Sequence, residues 1–116
     1  MATIPELVPG VVRFLVQVAR ERRLTTYGEV AQAVGTHHRV VPKVVEVVKA
    51  VCLEEGWPPL IALVLRAGSE RPSLSCMGPW LGGEAPHGDE AEVVGEWLER
   101  VCAFDWGRLL ERYGVE

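Results

Sequence analysis

Apolar residues Val8, Val11, Val12, Leu15, Val18 and Ala19 recur three and four positions apart, with Arg13, Gln17 and Arg20 on the other side. That period predicts a first helix over residues 5–23. Pro5 or Pro9 fits its first turn, where a missing N–H costs little. Thr26-Tyr27-Gly28-Glu29 then matches the capping pattern T-x-x-E, in which the threonine takes an orphan N–H and the glutamate reaches back. Val30, Ala31 and Val34 give a second, short helix, and Gly35 is its stop. Thr36 to Arg39 makes a tight connection. A third helix follows to about Glu55, with Val44, Val45, Val47, Val48, Val51 and Cys52 as its apolar set. Pro42 must lie in its first turn, because deeper inside it would clash and remove a hydrogen bond. Valine is a poor helix former, so packing must hold this helix.

Gly56-Trp57-Pro58-Pro59 ends the helical run. LIALVLRAG, residues 60–68, reads as a short buried strand by length and apolar content. A turn at 68–72 and a return over 73–77 would complete a β-hairpin, the wing of a winged helix. Residues 78–88 are a Gly- and Pro-rich loop. Asp89 caps a fourth helix through D-x-x-E, with Val93, Val94, Trp97, Leu98, Val101 and Cys102 on one face. Asp105 caps a last short helix carrying Leu109, Leu110 and Tyr113. The order predicts an α+β fold, mostly α: a winged helix-turn-helix with extra C-terminal helices. One domain spans 1–116, with its core at 5–77 and a helical extension at 89–116.

Charge changes this picture by its distribution. The chain holds 16 acidic against 12 basic residues, a net charge of -4. Residues 11–49 nevertheless carry seven basic residues against three acidic, and residues 84–116 carry nine acidic against three basic. A basic front permits nucleic acid despite the acidic total. No apolar run approaches a membrane span, and no signal peptide is read at the start. Cys52, Cys76 and Cys102 form no disulfide framework, which points to a reduced, cytoplasmic setting.

In a winged helix the third helix enters the major groove by its N-terminal end. His37, His38, Arg39 and Lys43 stand there, and free N–H groups of that end would suit a phosphate. Arg66 and Arg71 fall on the wing. His37, His38, His87 and the cysteines lack metal-ligand spacing, and the adjacent histidine side chains should diverge, so neither metal nor cofactor is expected. No nucleophile–base pattern or P-loop is present, so no enzyme is expected. The aromatic pair of Phe104-Asp105-Trp106 reads as core packing around a cap, whereas Trp80 is the candidate for an exposed aromatic.

The segment TTYGEVAQAVG resembles the start of the DNA-binding half of alkylguanine-DNA alkyltransferases and alkyltransferase-like proteins. Thr26, Tyr27, Gly28 and Ala31 match their T-Y-G-x-x-A, and Arg39 and Val41 match the following R-x-V. The resemblance covers about 45 residues and implies that Tyr27 crowds a phosphate and Arg39 fills the gap left by a flipped base. The family's P-C-H-R falls on Leu63, Val64, Leu65 and Arg66, so Val64 replaces the alkyl-accepting cysteine and alkyl transfer has no nucleophile. Pro42 replaces the glycine after R-x-V. A second set, Tyr27-Gly28, Pro58-Pro59-Leu60, Leu63-Val64 and Phe104-Asp105-Trp106, resembles a group of small uncharacterised bacterial domains of winged-helix type.

The function expected is therefore non-catalytic binding of double-stranded DNA through Thr26, Tyr27, His37, His38, Arg39 and Lys43, with Arg66 and Arg71 on the wing. The rival is a protein-interaction module, as a homodimer or with a basic partner for the acidic tail. A third reading, damaged-base recognition without repair, needs a pocket open beside Val64 and Arg39.

Overall fold

A computed structural model of the chain describes residues 3–65 and 90–114. Helix α1 spans Ile4–Arg20. The Glu6 carboxylate accepts the Thr3 N–H at 3.4 Å, so one orphan donor at the helix start is satisfied. Pro5 sits in the first turn, as expected. Pro9 lies a turn deeper, where its missing N–H would have met the Pro5 carbonyl. Leu7, Val8, Val11, Val12, Leu15, Val16, Val18 and Ala19 are all buried.

The helix ends three residues before the expected boundary. Arg22 takes a left-handed conformation, φ 53°. Its N–H reaches Ala19 O at 3.1 Å, and the Arg23 N–H reaches Val18 O at 3.2 Å. This pair of bonds closes a Schellman turn, in which glycine is the usual left-handed residue. Arginine there carries a steric cost that nothing in the residue type announces. Arg22→Gly should therefore raise stability by about 0.5–1 kcal/mol, read as a higher urea midpoint at unchanged slope. The exposed Arg22–Glu99 contact at 3.4 Å, lost in that variant, should matter little.

Strand β1 is only Thr25–Thr26. Helix α2, Tyr27–Val34, starts with the Thr26 hydroxyl accepting the Glu29 N–H at 3.1 Å. The Glu29 carboxylate takes the Thr25 hydroxyl at 2.7 Å, which ties strand to helix. Gly35 closes α2 at φ 73°. Helix α3, Val41–Glu55, holds Pro42 in its first turn and stops at Gly56, φ 72°. The Trp57 N–H then meets Cys52 O at 2.8 Å.

The expected strand over 60–68 is largely something else. Leu60–Leu63 form a 3-10 turn, with the Ala62 N–H on Pro59 O, and only Val64–Leu65 are extended as β2. All four turn residues are buried. A short apolar run fits a buried turn as well as a buried strand, and the preceding prolines bend the chain into the turn. Strand β2 pairs in parallel with β1, Thr25 against Val64 and Thr26 against Leu65. The hairpin return at 73–77, the loop at 78–88 and the Asp89 cap lie outside the described residues.

Helix α4 spans Glu90–Ala103 and α5 spans Gly107–Arg112. Between them the Asp105 carboxylate accepts the Gly107 N–H at 3.0 Å. Phe104 and Trp106 belong to the core, as expected of that pair. Trp106 is 2% exposed and its indole N–H donates to Val101 O at 2.9 Å. Helices α2, α3, α4 and α5 and the 3-10 turn all pack on α1. Ala62 of the turn and Val94 of α4 pack together beside the main core. The described chain is thus mostly helical with one small parallel sheet, α+β in class. None of its described helices is long and apolar enough to cross a membrane.

Candidate functional site

Two local events place the candidate residues. The Thr26 cap and the β1–β2 pair fix the start of α2, so Tyr27 and Gly28 stand at its first turn. The chain then turns through residues 37–40, where the Val40 N–H reaches His37 O at 3.0 Å, and enters α3. Between the two starts lies a depression of about 700 Å³, lined by Thr26, Tyr27, Gly28, His38, Arg39 and Pro42. Four of the expected contact residues therefore border one surface feature. Lys43 follows Pro42 in the chain and is exposed. Arg66 and Arg71 lie outside the described residues.

The histidines do not diverge. Their rings stack, with centroids 4.3 Å apart and planes at 30°. The tight turn puts consecutive side chains on the same side, which an extended chain would not. His37 Nδ1 accepts the Arg39 N–H at 3.1 Å. In the neutral ring this places the proton on Nε2, the ring's remaining donor. His37 thus joins the site through His38.

The helix start contributes less than the sequence led us to expect. Pro42 has no N–H, and the Lys43 and Val44 N–H groups both go to Val40 O, at 3.1 and 3.3 Å. An anion here would therefore rely chiefly on side chains. Arg39 and Lys43 are suited to this, since both are exposed and neither makes an ion pair among the described residues. Three other cations are engaged. Arg22 pairs with Glu99, Arg23 with Glu21 and Glu29, and Arg112 with Glu54 and Glu55.

Val64, at the position of the alkyl-accepting cysteine in the resembled family, is 6% exposed and does not line the depression. The described thiols are poor nucleophiles. Burial pushes Cys52 up to about 11, against a smaller lowering by a backbone hydrogen bond at Leu60. Cys102 is raised by burial, with Arg22 lowering and Glu99 raising it. For Cys52 the unfolded thiol ionises first, so the native state holds the proton between about pH 9 and 11. Stability should fall by roughly 2–3 kcal/mol across that window. Urea midpoints for wild type and Cys52→Ala should converge as pH rises through it.

Among the described residues, no group of three or more His, Cys, Asp or Glu gathers where it could hold a metal ion. His87, Cys76 and Trp80 lie outside those residues. A second groove, between α1, α2 and α5, has a volume of about 530 Å³. Its polar rim was legible as the outer side of α1, but its walls come from α2 and α5, which no local pattern brings there. No family model matches the chain, and no curated protein or solved structure matches it.

Proposed function

We propose that the protein binds double-stranded DNA without catalysis, through the starts of α2 and α3. The observation that carries this reading is Arg39, which borders a depression with Thr26, Tyr27 and His38, together with Lys43, which follows the lining Pro42: both are exposed and without carboxylate partners among the described residues. Lysine and arginine neutralise phosphates, and hydroxyl and imidazole donors fix register on the backbone. In this reading Arg66 and Arg71, which the sequence would put on a wing, are further phosphate contacts.

The distribution of acid supports the same reading. Contacts between the C-terminal helices and the front of the chain use Arg22, Arg112, Glu54, Glu55 and Glu99. Among the described residues they leave Arg39 and Lys43 without a carboxylate, whereas an interaction module masked by its own acidic segment would engage them. Damaged-base recognition needs the pocket open to Val64, and Val64 does not line it.

The test is a salt titration of binding to a mixed-sequence duplex, followed by fluorescence anisotropy. Binding at low salt should weaken linearly on a log–log plot, with a slope near -0.9 for each phosphate neutralised, or about -3 to -4 if all four cations engage. No binding at about 50 mM salt, where phosphate contacts are strong, would overturn the reading in favour of a protein partner.

A further inference from the structure

We infer that the groove between α1, the C-terminal end of α2 and α5 is a docking site for an acidic amphipathic helix of a partner protein. Its floor is apolar, built from Leu7, Gly10, Phe14, Val34 and Leu110. Its rim carries Arg13, Gln17 and Arg20, all exposed on α1. A shallower depression continues it past Phe14 and Ala33 toward Gln32.

Charge identifies the occupant. Arg13 and Arg20 make no ion pair among the described residues, unlike Arg22, Arg23 and Arg112. They stand seven residues apart, about 10.5 Å along the helix. Carboxylates seven residues apart on a partner helix span the same distance, with apolar residues at the third and fourth positions between them over the floor. Glu6 lines the opposite end and suits the partner's N-terminal, electropositive end, which sets a direction.

Gly10 keeps this floor open. It lies inside α1, where glycine is unfavourable, and a Cβ there would come within 3.2 Å of Val34 Cγ1. The groove follows α1 from Glu6 to Arg20, about 21 Å, which suits a helix better than a compact ligand. A phosphate backbone gains nothing from the apolar floor and is repelled by Glu6. A second copy offers Glu96 and Glu99 on α4, but the apolar side of that helix, at Val94 and Val101, is already buried in its own fold.

The experiment is selection of a displayed random 12-residue peptide library on the purified full chain. The strongest binder is then resynthesised with a fluorescent label. The expected consensus has two acidic residues seven apart with apolar residues between. Arg13→Glu with Arg20→Glu should weaken the labelled peptide at least ten-fold, and Ala33→Trp should do the same by filling the groove at unchanged charge. All three positions are exposed, and circular dichroism checks that each variant is folded. No enrichment, a consensus without paired acids, or binding that survives both variants would overturn the inference. So would self-association of the chain abolished by the double reversal, which would give the groove to a second copy. Loss of duplex binding in the double reversal would make these arginines part of a nucleic-acid face and also overturn it.

Discussion

Trp106→Ala should remove about 4 kcal/mol of stability, within the range for truncating a buried aromatic. The ring is 2% exposed and meets Phe104 edge-on, with centroids 4.6 Å apart. Phe104 in turn faces Trp57, just after α3, at 6.3 Å. The substitution therefore empties the joint between the C-terminal helices and the core. It also frees the Val101 carbonyl, which accepts the indole N–H at 2.9 Å. Domains of this size are stable by about 5–15 kcal/mol, so the melting temperature should fall by about 15 °C. Trp106→Phe keeps most of the packing but not the hydrogen bond, and should cost about 1–2 kcal/mol. Urea unfolding followed by circular dichroism reads both. A loss below about 1 kcal/mol for the alanine variant would mean that α5 is not packed as described.

The second large effect concerns binding. Arg39→Ala combined with Lys43→Ala should weaken duplex binding about 100-fold at moderate salt, from two charge-assisted phosphate contacts of about 1.5 kcal/mol each. The salt slope should become shallower by about 1.8, because two fewer counterions are released. The loss should be nearly the same for unrelated duplex sequences, since phosphate contacts carry no sequence information. Both side chains are exposed and unpaired among the described residues, so the unfolding midpoint should stay in place. Unchanged affinity in a variant of a protein that does bind DNA would move the contact surface elsewhere on the molecule.

The signals legible in the sequence were those that act over three or four residues. Thr26, Gly35, Pro42 and Gly56 each mark a helix boundary through local backbone chemistry, and each lies where that chemistry puts it, although the Glu29 carboxylate takes the Thr25 hydroxyl instead of reaching back to the cap. Asp105 also takes its N–H, on Gly107. The misses needed information that local patterns lack. Residues 60–63 are apolar without a period, so length alone favoured a strand. The partner strand, Thr25–Thr26, is too short to show alternation. The end of α1 rests on an arginine in a glycine conformation. At the candidate site, Arg39 and Lys43 stood out by charge and position. The depression that Arg39 borders did not, because it forms between the starts of two separate helices.

The central place of α1 bears on how the chain is made. A helix with eight buried residues, on which every other described helix packs, is also the earliest described element to leave the ribosome. Leu110 of α5, a helix that also packs on it, is synthesised about 90 residues after Arg20. At about 5–20 residues per second, that is roughly 5–18 s during which a valine-rich apolar surface waits for cover. Folding during synthesis must therefore pass through a stage in which this stripe is shielded by α2 and α3 alone or by a chaperone. Slowing translation late in the chain should increase misassembly more than destabilising α5 in the finished protein.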